Sequence, residues 1–83
     1  MKVLYFAWLR TRTGCAEEDV TPPQDVATVG SLVDWLKQRS AGHAKAFAEL
    51  RVVRAAVNQE YVDLDHPVRP GDEVAFFPPM TGG

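Results

Sequence analysis

The stretch "TVGSLVDWLKQRS" (residues 28–40) decides the fold. Val29, Leu32, Val33 and Leu36 recur at i, i+3, i+4 and i+7, which lays them along one stripe of an α-helix. Thr28 stands just before the stripe as an N-cap, its hydroxyl oxygen able to accept from a backbone N–H that the helix leaves free. Lys37 and Arg39 fall in the last turn, where the helix dipole favours cations, and Gly42 is the expected stop signal. A helix with one apolar stripe must lay that stripe on another element. The segments on both sides of it are rich in β-branched and aromatic residues, so the other element is a sheet.

Upstream, "KVLYFAWL" (2–9) reads as the first strand, with Val3, Tyr5, Ala7 and Leu9 on one face and Lys2, Leu4, Phe6 and Trp8 on the other. "RTRTG" reads as a turn closed by Gly14, and "AEEDVTP" as a short polar edge strand ended by Pro22 and Pro23. Downstream, 43–50 suits a second short helical piece, and "VVRAAVN" (52–58) and the vicinity of Tyr61–Asp63 suit strands. Pro70-Gly71-Asp72 is a turn signal, and "EVAFF" (73–77) is the last strand, with Val74 and Phe76 facing one way and Glu73, Ala75 and Phe77 the other. The order gives an α+β architecture: a mixed sheet of four or five strands with one main helix across one face, the β-grasp arrangement of ubiquitin. Val3, Tyr5, Ala7 and Leu9, with Val74 and Phe76, are the expected floor for the helix.

At 83 residues, with 46% apolar and 24% charged side chains, the chain has the profile of one globular domain. A net charge of −2 with dispersed Lys and Arg argues against nucleic acid as a partner. The single cysteine, Cys15, cannot form an internal disulfide or a four-cysteine cluster. No apolar run is long enough to span a membrane. "MKVLYFAWLR" begins like a signal peptide but leads into "TRTG" rather than a small-residue cleavage site. A mature strand and a cytoplasmic protein are therefore expected.

The chain finishes in "FFPPMTGG" (76–83). Two aromatics are followed by two prolines that favour extended backbone, and then by two residues without side chains. Residues 55–83, "AAVNQEYVDLDHPVRPGDEVAFFPPMTGG", resemble the small subunit of molybdopterin synthase, the MoaD-type sulfur carrier family. The pattern "GDEVAFFPPxTGG" at the C-terminus carries most of that resemblance. "KVLYFAWLRTRTG" resembles the family's first strand and turn, and the helix of 28–40 sits where the family's helix sits.

The resemblance implies a single sulfur-carrier domain over 1–83, with 78–83 as a flexible reactive tail. It implies that an E1-like activating enzyme uses ATP to adenylate the Gly83 carboxylate. Sulfur from a donor protein then replaces one oxygen, giving a C-terminal thiocarboxylate. Pro78, Pro79, Met80, Thr81 and Gly82 would thread the tail into the large subunit of molybdopterin synthase, in a family-like heterotetramer, and sulfur would pass to a cyclic pyranopterin precursor. Phe6, Tyr61 and Phe77 are the expected docking patch, although the family often has an aliphatic residue where this chain has Tyr61. Arg10 is a further candidate at the interface. No permanently bound cofactor and no metal are expected: His43 and His66 lack partners at ligand spacing. Acidic neighbours at 17–19 make Cys15 an ordinary thiol, Trp8 and Trp35 read as half-covered packing residues, and Asp72 and Glu73 are placed near the tail. Within this sequence there is no catalytic triad, phosphate loop or carboxylate pair, so the chain reads as the carrier subunit of an enzyme. The rival readings are a thiamine-pathway carrier, a ubiquitin-like protein modifier and a passive binding module.

Overall fold

The computed structural model describes residues 1–79; Met80, Thr81, Gly82 and Gly83 lie outside the described residues. Five strands form one mixed sheet: β1 (Lys2–Tyr5), β2 (Glu17–Asp19), β3 (Arg54–Val57), β4 (Glu60–Val62) and β5 (Glu73–Phe77), in the order β2-β1-β5-β3-β4. The central pair, β1 and β5, is parallel, with Tyr5 beside Phe76, and every other pair is antiparallel. Three helices, α1 (Trp8–Thr13), α2 (Val29–Lys37) and α3 (Ala41–Ala46), and a 3-10 turn at Leu50–Val52 make up the other regular elements among the described residues. This is the expected β-grasp architecture.

The stripe of α2 does what its spacing requires. Val29, Leu32, Val33 and Leu36 are fully buried, against a cluster that includes Val3, Tyr5, Val57, Val74 and Phe76. Each such side chain contributes about 1.5–3 kcal/mol through its removal from water. Thr28 caps the helix as expected: its side chain accepts from Ser31 N (3.1 Å), and Ser31 Oγ accepts from Thr28 N (2.9 Å). Two further N–H groups of the first turn, of Val29 and Gly30, donate to the carbonyls of His66 and Leu64. The loop before β5 thus satisfies donors that a helix start leaves without intrahelical partners.

The first strand is shorter than its pattern suggested. It ends at Tyr5; Ala7 turns the chain at a φ of 57°, and α1 begins at Trp8. Leu9 is buried as expected, but it reaches the core from a helix, whereas Ala7 is exposed. The misreading has a simple cause. A residue four positions on lies on the same face in a strand and in a helix, so Leu9 is in phase with Tyr5 under either period. Gly14, with a φ of 87°, is the left-handed C-cap of α1 rather than the end of a simple turn.

Gly42 is likewise not the stop of the main helix. α2 ends at Lys37 with Gln38 as its cap, and Ser40 then caps a separate helix, α3, in which Gly42 is a helical residue. A Cβ at Gly42 would overlap the carbonyl oxygen of Arg12, so glycine is what allows α1 and α3 to touch.

Candidate functional site

Alternation along β5 gives the sheet two unlike faces. Val74 and Phe76 point into the core, and Phe76 packs edge-on to Phe47 at 4.9 Å between ring centres. Glu73, Ala75 and Phe77 point the other way and are half-buried. On this outer face the register sets Phe77 opposite Arg54, Ala75 opposite Ala56, and Ala56 opposite Tyr61. Two alanines at the centre leave a shallow floor, and the aromatics stand at its rim.

Tyr61 is 83% exposed, and its ring lies 5.5 Å from that of Phe77. Phe6, 49% exposed, sits one position beyond the paired part of β1, where its N–H extends the ladder by donating to Phe76 O (3.1 Å). The structure therefore brings Tyr61 and Phe77 into contact and places Phe6 at the same end of the sheet. Pro78 and Pro79 follow directly from β5 and are half-buried. Pro79 lines two shallow grooves, one with Tyr61, Phe77 and Arg54 and another with Trp8, Arg12 and Val52.

Three placements differ from the sequence reading. Arg10 does not close the first strand; it is an exposed residue of α1. Trp8 is also on α1 and not on a strand face with Phe6, and the guanidinium of Arg12 stacks over its ring at 4.5 Å. Asp72 and Glu73 are not beside the tail, because they stand at the opposite end of β5 from Phe77. There Asp72 accepts from Asn58 Nδ2 (3.1 Å) and from Arg69 N (2.8 Å). The Asn58 bond is the main reason its carboxyl pKa falls below the usual value.

Sequence reasoning missed a second polar cluster, on the helix side of the sheet. Glu18 of β2 accepts at Oε2 from Tyr5 Oη and from His43 Nε2, both at 2.7 Å, and at Oε1 from Arg39 Nη2 at 3.2 Å. Since an ionised carboxylate only accepts, His43 carries a proton on Nε2; its Nδ1 meets Ser40 Oγ at 2.7 Å. Burial works to raise the Glu18 pKa, but the bonds from His43 and Tyr5 and the charges of His43 and Arg39 outweigh it, and the net shift is downward. Burial first, and then the bond to Glu18, drive the Tyr5 pKa up, so its hydroxyl stays a donor. The three partners of Glu18 lie from 13 to 25 residues away from it in sequence, and the register of β2 on β1 and the seating of α3 bring them to it. They link elements within the fold and lie on the face away from Tyr61 and Phe77. Cys15 is half-buried, with its thiol 3.9 Å from Thr13 Oγ1. Among the described residues no group of His, Cys, Asp and Glu is arranged to hold a metal ion.

A sheet with a parallel central pair, one amphipathic helix across it and a last strand running out beside an outward-facing aromatic pair defines a ubiquitin-like β-grasp protein. The chain belongs to the ThiS family, whose pattern matches residues 3–83. It is 43% identical to the molybdopterin synthase sulfur carrier subunit of Escherichia coli (strain K12), over 100% of this chain and 99% of that one. Among solved structures it is similar to the putative molybdopterin converting factor, subunit 1, from Pyrococcus furiosus, with 36% identity, a TM-score of 0.79 and 95% of each chain covered. It is also similar to small archaeal modifier protein 1 of Haloferax volcanii, with 31% identity, a TM-score of 0.73 and coverage of 96% of this chain and 97% of that one.

Proposed function

We propose that this chain is the sulfur carrier subunit of a molybdopterin synthase and that the carboxylate of Gly83 is its working group. The observation that carries the reading is the geometry at the end of β5: the last strand runs past the contact of exposed Tyr61 with half-buried Phe77 straight into Pro78-Pro79. The tail is rooted in a rigid sheet and leaves it beside an apolar patch able to hold a partner. Full-length similarity to carrier subunits supports the same reading.

A C-terminal carboxylate has an ordinary pKa of about 3.5, so it is ionised at neutral pH and is a poor electrophile. Activation must therefore precede sulfur transfer. In an E1-like activating enzyme a carboxylate oxygen attacks the α-phosphorus of ATP, releasing pyrophosphate and giving an acyl-adenylate. Sulfur at the sulfide level, released from a donor protein, then attacks the acyl carbon, displaces AMP and leaves the thiocarboxylate. In the large synthase subunit that sulfur passes to a cyclic pyranopterin precursor, and two such transfers complete the dithiolene of molybdopterin. Phe6, Tyr61 and Phe77 dock the partner, Arg10 lies at the margin, and Met80, Thr81 and Gly82 pass through a channel that glycine keeps narrow. The Tyr61 hydroxyl keeps a water or a polar partner in an otherwise apolar contact. Both partners use the same face, so their binding is mutually exclusive. The chemistry belongs in the cytoplasm, and among the described residues no helix is long and apolar enough to cross a membrane.

Incubation with ATP, the activating enzyme and a sulfur donor tests this reading. The intact mass must rise by the difference between one sulfur and one oxygen. An unchanged mass, under conditions that charge a known carrier, overturns it. The similarity to a small archaeal modifier protein supports a second use of the same activated terminus, isopeptide bonding to lysines. Covalent adducts on cellular proteins would establish that use.

A further inference from the structure

The sequence has a net charge of −2, yet its cations are unevenly placed. Five of the nine Lys and Arg residues, namely Arg10, Arg12, Lys45, Arg51 and Arg54, belong to the elements gathered at the end of the sheet where β5 finishes. All five are exposed. Arg12 and Arg54 stand out because they line the two grooves that meet at Pro79, one on each side of the tail root.

Both guanidinium groups already make backbone contacts. Arg12 donates from Nη1 to Lys45 O (3.2 Å) and is stacked on Trp8. Arg54 donates from Nη1 to Arg51 O (3.0 Å) and Val53 O (3.3 Å). Neither makes an ion pair among the described residues; the carboxylates close by are Glu49, which pairs with Arg51 at 3.6 Å, and Asp63, on the rim of the Tyr61–Phe77 groove. A guanidinium has five N–H donors, so each of these keeps several for a ligand. With one edge fixed by backbone carbonyls, less side-chain freedom is lost when such a ligand arrives.

We infer that Arg12 and Arg54 form a cationic clamp astride the tail root, complementary to carboxylates at the mouth of the channel that receives the tail in the large synthase subunit. The inference rests on the docking reading given above and adds to it which residues set approach and register. The four residues beyond Pro79 span at most about 14 Å when extended. A group reacting with an inserted Gly83 therefore lies well beyond the arginines, and what the clamp meets is the partner's rim rather than a phosphate of ATP or of the pterin precursor. Charges at a rim act mainly on encounter and orientation, whereas the buried aromatics act on residence time.

Association of the full chain with its large synthase subunit, followed by stopped flow or surface plasmon resonance at low and high salt, tests the clamp. The double variant Arg12→Gln/Arg54→Gln should associate about tenfold more slowly at low salt, with a shallower salt dependence and a dissociation rate within about twofold of wild type. The charge-retaining pair Arg12→Lys/Arg54→Lys should keep most of the association rate. An unchanged association rate, a loss confined to dissociation, or a Lys pair as slow as the Gln pair overturns the clamp. Phe77→Ala, run alongside, separates the two readings: if it binds as tightly as wild type, the docking face itself is misassigned.

Discussion

Glu18 shows how one residue can hold three elements together. Its carboxylate receives Tyr5 from β1, His43 from α3 and Arg39 from the segment after α2. The depressed pKa makes this a statement about stability and pH. A group whose pKa is lower in the folded state adds stability that is full above its unfolded value, near 4.3 for Glu, and that fades as pH falls through the folded value. Stability should therefore drop on acidification below about pH 4.3, and Glu18→Gln should flatten that part of the profile while lowering stability at neutral pH, as chemical denaturation across pH will show. Phe77 is the opposite case, half-buried and facing outward. Phe77→Ala should cost about 1–3 kcal/mol of partner binding, read by calorimetry, with the circular dichroism spectrum retained. A molten product would place Phe77 in the core instead.

At the scale of elements, the less obvious device is the pairing of α1 with α3. α1 has only six residues and would not persist alone in water. It is kept by buried Leu9, by the Gly14 cap and by its close approach to α3 at Gly42. That approach also delivers Lys45 O to Arg12 beside the tail root. Gly42→Ala should force the two helices apart and destabilise the fold by about 1–3 kcal/mol, measured by thermal or urea unfolding. The same substitution at Ser31, a half-buried capping residue of α2, should cost about 1 kcal/mol through the lost capping box. The contrast separates a steric role from a hydrogen-bonding one.

At the scale of the whole molecule, the described core is built from residues 1–79. Among the described residues, every buried hydrophobic residue lies between Val3 and Phe76. Deleting Gly82 and Gly83 should leave the melting temperature within experimental error and abolish charging by the activating enzyme, read by intact mass. A truncated chain that still accepts sulfur would end the proposal for Gly83.

The sequence by itself determined the main helix, a mixed sheet of four or five strands with their approximate places, and the inward and outward residues of the last strand. Each of these is written in a period of 3.6 or 2 that neighbouring residues share. Phe6, Tyr61 and Phe77, and the role of the glycine-ended tail, came from the family resemblance carried by the pattern at the C-terminus; strand alternation added only the outward side of Phe77. What only the tertiary structure decided depends on contacts between residues far apart in the chain. The end of β1 at Tyr5 was hidden because Leu9 satisfies both periods. The position of Arg10 changed with it, as did that of Trp8. Gly42 looked like a stop because a glycine needed for close helix contact cannot be told locally from a glycine needed for a positive φ. The Tyr5–Glu18–His43 cluster, and the two arginines astride Pro79, exist only through strand register and helix seating. Register is a relation between distant segments, fixed by the packing of the whole core, and no single stretch of the chain encodes it.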